Sequence, residues 1–333
     1  MGARPDKSKN FAPLNNFLFL LVLFLLSLIF FSLVRNNSFW HSGDYSLLNN
    51  AIRTEGHWRN VFETSPFQTF QPFVNFIFHL EYDWFGTNAW LYYLFNICVH
   101  SLNAFLVYFI VLTLLRDRAI AVLSSLLFVF AVGNYGKAVM VVSGISDLII
   151  TLLTLLSLLF YFKNELEKGG KLLSPWFFAA ILFFFLGLLT KATSFSVLGC
   201  MLVFNALYRP ETKKPVLHTN FLVITVFALA VLIIKLSFLP HAVESSTMVF
   251  FDRMFFKNFG SYLVRMVFPI HGSRLVLHAG PVVRFIYDFA TTIRIVTFLC
   301  ILSYSIFGFY FRQQSDSLFY RVDLYNGFAF LFL

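Results

Sequence analysis

Phe17-Leu-Phe-Leu-Leu-Val-Leu-Phe-Leu-Leu-Ser-Leu-Ile-Phe-Phe-Ser-Leu-Val34 carries no charge over eighteen residues. A bilayer's hydrocarbon core needs roughly 20 apolar residues of helix to cross it, so this stretch reads as a transmembrane helix. Comparable stretches recur at 89–115, 118–133, 138–162, 175–190, 192–208, 219–239 and 292–312, and a ninth begins near Asn326. The pattern predicts an all-α polytopic integral membrane protein with eight or nine transmembrane helices. The final residues, Phe330 to Leu333, fall inside an apolar run, so the chain reads as C-terminally incomplete.

Of the 333 residues, 59% are hydrophobic and 12% charged, where soluble domains carry about 25% charged residues. The 47 Phe residues suit lipid-facing helices. The net charge of +9 is assigned to cytoplasmic loops and anionic headgroups rather than to nucleic acid, because no basic stretch builds a soluble module. Cys98, Cys200 and Cys300 are far apart in apolar segments without a CxxC pair, which points to small buried hydrophobes and away from zinc or a disulfide framework. The first apolar run is too long for a cleaved signal peptide and lacks a small-residue cleavage site, so it reads as a retained signal anchor.

Basic residues in short loops set the orientation. With residues 1–16 as a cytoplasmic N-terminus, the cytoplasmic pieces hold Arg4, Lys7, Lys9, Arg116, Arg118, Lys163, Lys168, Lys171, Arg209, Lys213, Lys214, Arg312 and Arg321. The short outer turns hold only Lys137 and Lys191. Residues 17–333 then form one membrane-embedded domain with two large extracytoplasmic loops, about 35–88 and 240–291. A bacterial inner membrane is the expected location.

Polar residues in such a chain are the candidates for chemistry. Asp44 opens a short amphipathic helix running to Arg53, ten residues beyond the first crossing. It has two readings: a helix N-cap, or an outer carboxylate that takes a proton from an acceptor hydroxyl or binds a divalent ion. Glu55, Glu63, Glu81 and Asp83 are further outer acids that could pair with it. Residues 72–85, ending in His79, Glu81 and Asp83, are too short to span comfortably and read as an interfacial or re-entrant helix. Asn96, His100 and Asn103 share one helix face and read as interhelical packing. Asp147 falls within an apolar helix and has two readings, structural hydrogen bonding or a site role, and Lys191 lies near a helix end from which it can snorkel. Arg253, Arg265 and Arg274 in the second outer loop could hold a phosphate or anchor to headgroups.

Several of these residues follow one another in a suggestive order. Gly43-Asp44-Tyr45 comes first, then Gln71-Pro72, Tyr82, Phe85-Gly86, Asn88, Trp90, Tyr93-Leu94, Asn96, His100 and Asn103. Phe130-Ala-Val, Val142-Ser143-Gly144-Ile-Ser-Asp147-Leu148 and Leu189-Thr190-Lys191 complete the series. Over roughly residues 40–208 this resembles the membrane-embedded glycosyltransferases of the C-type fold. Within them it is similar to the O-mannosyltransferase-like proteins whose bacterial members often carry tetratricopeptide repeats. The chain departs from that pattern at Gln71 (Arg in the family), Gly133-Asn134 (His-Pro), Ala138 (Glu) and Ala192 (Glu).

The resemblance implies transfer of a sugar from a polyprenyl-phosphate carrier to a lipid, glycan or protein acceptor at the outer membrane face. It implies Asp44 as the base or metal-associated acid, with a divalent cation as the candidate cofactor. Arg253, Arg265, Arg274, His79, Asp147 and Lys191 are the expected substrate-binding residues, and membrane lipids the surroundings. A lipid-linked sugar transporter and a non-catalytic relative of the fold are the other two readings, the latter prompted by the departures just named.

Overall fold

A computed structural model describes residues 13–39, 41–53, 71–130, 138–208 and 214–237. Regular structure among them is helical, without a strand. The helices are α1 (Pro13–Phe30), α2 (Ser42–Arg53), α3 (Pro72–Phe85), α4 (Ala89–Leu115), α5 (Arg118–Phe130), α6 (Ile145–Glu167), α7 (Pro175–Thr190), α8 (Ser196–Leu207) and α9 (Thr219–Ser237). Two units, Ala89–Leu115 and Val142–Glu167, are long and apolar enough to cross a membrane. The expected crossings at 292–312 and beyond Asn326, the loop 240–291 and Cys300 lie outside the described residues.

Where helix ends carry their own chemistry, sequence and structure agree on them. Ser174 accepts the Trp176 N–H through its side chain at 3.3 Å, with Pro175 at the first helical position of α7. α4 stops at Arg116, which turns left-handed at φ 55. Asp117 then accepts the Ile120 N–H and starts α5.

Three helices differ from the sequence pattern. The helix expected over 138–162 is interrupted: Val141 is extended (φ −124, ψ 132), Val142–Gly144 form a 3-10 turn, and α6 then runs on to Glu167. Gly144 is required there, because a Cβ would overlap the Ala138 carbonyl. The stretch expected over 192–208 begins with a 3-10 turn, Ala192–Phe195, after an extended Lys191. α1 ends at Phe30 and passes into a 3-10 turn, Ser32–Asn36, rather than continuing to Val34 as α-helix.

α4 and α6 run parallel. Asn96 Nδ2 donates to the Val141 carbonyl and Asn103 Nδ2 to the Leu148 carbonyl, both at 3.0 Å and both across 45 residues, so the two chains advance in step. Around this pair lie two apolar cores. One gathers Phe31, Leu47, Phe78, Tyr92, Ile97 and Val142 at the N-terminal ends of α4 and α6. The other gathers Val111, Leu158, Phe162, Phe184, Phe204 and Ile224 at their C-terminal ends. Aromatic and aliphatic side chains also stand exposed on the outside, notably Phe17, Leu21, Leu25 and Ile29 of α1 and Val226, Leu229 and Ile233 of α9.

The C-terminal ends of α6 and α8 are tied to the segment before α9 by a polar cluster. Glu165, buried, accepts from Lys214 Nζ at 2.9 Å and from Asn220 Nδ2, and lies 3.3 Å from His218 Nε2. Tyr161 donates to Asn205 Oδ1 at 3.0 Å, and Asn205 Nδ2 donates to the Val216 carbonyl. Gly170, at φ 65, leaves room for the Lys214 ammonium against Glu165.

Two stability outcomes follow, each read from thermal unfolding in detergent. Gly144→Val is expected to destabilise by at least the about 1–3 kcal/mol typical of overpacking, whereas Gly199→Ala, where a Cβ meets nothing within 4 Å, leaves the midpoint unchanged or slightly raised. Glu165→Ala strands Lys214 and His218 without their shared acceptor and is expected to cost about 3–5 kcal/mol.

Candidate functional site

The segment His41-Ser42-Gly43-Asp44 builds the first part of the site. α2 starts at Ser42, which makes Asp44 its third residue rather than its cap. Its Oδ2 reaches back to accept the His41 N–H at 3.2 Å, the geometry by which an acid in the first turn satisfies the helix start. Its Oδ1 accepts the Ser143 N–H at 2.7 Å across 99 residues. Gly43 permits this approach, since a Cβ would stand 2.8 Å from Ser143 Oγ. Asp44 is 0% exposed. Tyr45 donates to the Phe39 carbonyl at 2.6 Å and Tyr93 to the Ser38 carbonyl at 3.0 Å, fixing the strand of chain that leads into α2.

Ser143 lies in the turn that opens α6, where the first N–H groups of a helix have no partner within it. Asp44 therefore caps α6 from another part of the chain. Asp147, one turn further on, bonds and ion-pairs with Lys191. The sequence pattern sets Asp147 inside an apolar helix; the interruption at Val141 instead places it in the first turn of α6, where a negative charge suits the helix dipole. Lys191 follows the last residue of α7, where a positive charge is favoured. This pair is partly solvent-exposed, unlike Asp44.

α3 contributes His79, Glu81 and Asp83. His79 is buried with Nε2 4.0 Å from Asp83 Oδ2, one turn along. Glu81 is 2% exposed, and among the described residues neither carboxyl oxygen has a hydrogen-bond partner. Burial pushes its carboxyl well above the usual carboxylate range. On α4, Asn96 and Asn103 act as interhelical donors, while the His100 ring packs edge-on to Phe31 at 5.6 Å and stacks on Phe128 at 5.4 Å.

Of the residues singled out from sequence, the fold thus brings Asp44, Asp147 and Lys191 to one end of the α4–α6 pair, with His79 and Glu81 on α3 packed against α2 and α4. Arg253, Arg265, Arg274, Glu55, Glu63, Gly133 and Asn134 lie outside the described residues. Among the described residues no three His, Cys, Asp or Glu side chains come together as a metal site. Two features escaped sequence reasoning: the isolation of Glu81 and the cluster on Glu165. The only available signal for the latter was Lys214, His218 and Asn220 closely spaced after a loop.

The chain was compared with known protein families, curated proteins and solved structures, and matches none of them.

Asp44→Ala removes the acceptor of two N–H groups. Each buried N–H left unmatched costs about 1–3 kcal/mol, so the unfolding midpoint should fall and amide exchange at Ser143 should accelerate. Asp44→Asn keeps one acceptor oxygen and should cost less.

Proposed function

We propose that this chain is a polytopic glycosyltransferase with eight or nine membrane crossings and a cytoplasmic N-terminus in a bacterial inner membrane. Its reaction moves a sugar from a polyprenyl-phosphate carrier to an acceptor hydroxyl at the extracytoplasmic face. The observation that carries this reading is convergence. Gly43-Asp44, Val142-Ser143-Gly144, Asp147 and Lys191, the stretches that resemble C-type glycosyltransferases, are far apart in sequence yet meet at one end of the bundle. The exposed apolar stripes of α1 and α9 support lipid as the surrounding medium, because soluble monomers rarely expose contiguous apolar patches of that extent.

The residues suggest a division of labour. Asp44 anchors the start of α6 to the outer segment and so holds Ser143 and Asp147 in position. Lys191, oriented by Asp147, is proposed as a cation for the carrier's phosphate. Arg253, Arg265 and Arg274 are proposed as further phosphate contacts. The sugar is displaced directly at its anomeric carbon, which inverts that centre, as negative charge collects on the departing phosphate.

One observation favours a non-catalytic relative instead: the side chain that the family resemblance makes the base has both oxygens bonded to the chain's own backbone.

The test is transfer of radiolabelled sugar from a polyprenyl-phosphate donor by the protein in nanodiscs, with lipid, glycan and protein fractions as acceptors. Lys191→Met and Asp147→Asn should each lower transfer at least tenfold. Both should stay folded, because a solvent-screened pair is worth about 0–1 kcal/mol. Folded wild-type protein that moves the lipid-linked sugar across vesicles without transferring it would be a transporter. Folded protein that does neither would be a non-catalytic relative.

A further inference from the structure

Glu81 stands apart from the other acids of the described residues. Asp44 gives its oxygens to two backbone N–H groups, Asp147 pairs with Lys191, and Glu165 has three side-chain partners. Glu81 is as buried as Asp44 and has no donor on either oxygen. Aromatic residues flank it along α3. Phe78 and Phe85, one turn to either side on α3, lie 5.5 and 5.4 Å ring to ring from Tyr92 of α4, and Phe39 lies 5.4 Å from the same ring. The Tyr92 hydroxyl is directed elsewhere, donating to the Gly86 carbonyl at 2.8 Å.

Most buried polar groups in proteins have a partner, and one that lacks it calls for an explanation. An ionised carboxylate in such a place is costly, so burial favours the protonated form of Glu81. Tyr92 is the titratable group of α4 in electrostatic reach of it. Of the other helices against α3, α7 carries no titratable residue, α2 carries Asp44, engaged as described, with Tyr45 and Arg53 both exposed, and Asp147 of α6 pairs with Lys191. On α3 itself His79 and Asp83 face each other, and Tyr82 is partly buried.

We infer that Glu81 is the proton acceptor for a hydroxyl-bearing acceptor in the transfer proposed above. The inference rests on that reading. In the step, the acceptor O–H proton passes to a Glu81 oxygen while the acceptor oxygen bonds the anomeric carbon. The bond from that carbon to the phosphate oxygen breaks, and its electron pair leaves with polyprenyl phosphate. Glu81 then returns the proton to solvent. A general base works best when its affinity for the proton matches the working pH, and isolation among aromatic rings moves a carboxyl in that direction.

The test compares wild type with Glu81→Gln and Glu81→Asp in nanodiscs. Wild-type transfer should rise with pH to a plateau as Glu81 ionises. Glu81→Gln should lose about 100-fold or more together with that pH limb, and Glu81→Asp should keep the limb at a reduced rate. Stability supplies a readout independent of activity. The folded-state affinity of Glu81 for its proton exceeds that of the unfolded chain, so wild type should lose stability as pH rises above the ordinary carboxylate range. The Gln variant should not, and the gap between their unfolding midpoints should widen from acid to alkaline pH. Wild type that transfers sugar, with a Gln variant of equal rate and equal pH profile, overturns the assignment of Glu81 and leaves the glycosyltransferase reading intact. Midpoints that stay parallel across pH overturn it as well. Folded wild type without transfer removes the reaction itself.

Discussion

Two carboxamides on α4 set the register on which the rest depends. In an apolar medium a backbone carbonyl released from a helix must find another donor. The interruption at Val141 releases one, and Asn96 takes it. Seven residues further along, Asn103 makes the equivalent bond to Leu148. With α4 and α6 locked in parallel at these two points, the turn Val142–Gly144 is held at a fixed height beside α2. The Ser143 N–H then meets Asp44. A helix start satisfied from 99 residues away couples α2 to the α4–α6 pair in a way that neither element could achieve alone.

The two ends of the α4–α6 pair treat charge differently. At the C-terminal end, Glu165 is surrounded by Lys214, His218 and Asn220, each of which also constrains the connection into α9. That cluster reads as a fastening, with every oxygen occupied. The N-terminal end holds three acids in three conditions: fully bonded to backbone, paired with a partly exposed lysine, and buried without a partner. Structural need accounts for the first. It does not account for the other two, since an exposed pair stabilises little and a buried carboxyl without donors destabilises. Packing thus accounts for Asp44 and leaves the Asp147–Lys191 pair and Glu81 without a structural reason.

How much of this was legible beforehand depended on whether the cause was local. α3, α4 and α7 have the bounds expected of them, because Pro72, Asn88 and Ser174-Pro175 punctuate the chain where the apolar runs begin. The interruption at Val141 was not legible. Met140 and Val142 flank it as they would the middle of a helix, and the partner that favours the break, Asp44, is far away in sequence. At Lys191 the turn between two helices was legible, and only the 3-10 form of Ala192–Phe195 was not. Asp44 itself was readable as the start of a helix, yet its second bond was not. Glu165 sits among Lys163, Glu167 and Lys168, a composition that resembles a solvated loop, and so its burial was hidden. Glu81 was noticed only as one acid among several, because isolation is a property of neighbours that sequence does not rank.

The distribution of polar and apolar side chains bears on the medium. α1 carries Leu18, Leu21, Val22, Leu25 and Ile29 outward while turning Ser27 inward, and α9 turns Asn220 inward while exposing Val226, Leu229 and Ile233. In water this arrangement would be costly, since it exposes what solvent rejects and buries groups that need donors. In lipid the same arrangement is favourable, because hydrocarbon rewards apolar exteriors and polar groups then serve helix association from within. The Asp147–Lys191 pair fits this inversion through its position. Both residues stand at helix ends, reached because Val141 and Lys191 leave the helical conformation, and there a charged pair can remain in contact with the aqueous boundary. The breaks in α6 and before α8 thus place both ionised groups at helix ends with access to solvent, where uninterrupted helices would have held the same pair against the apolar core.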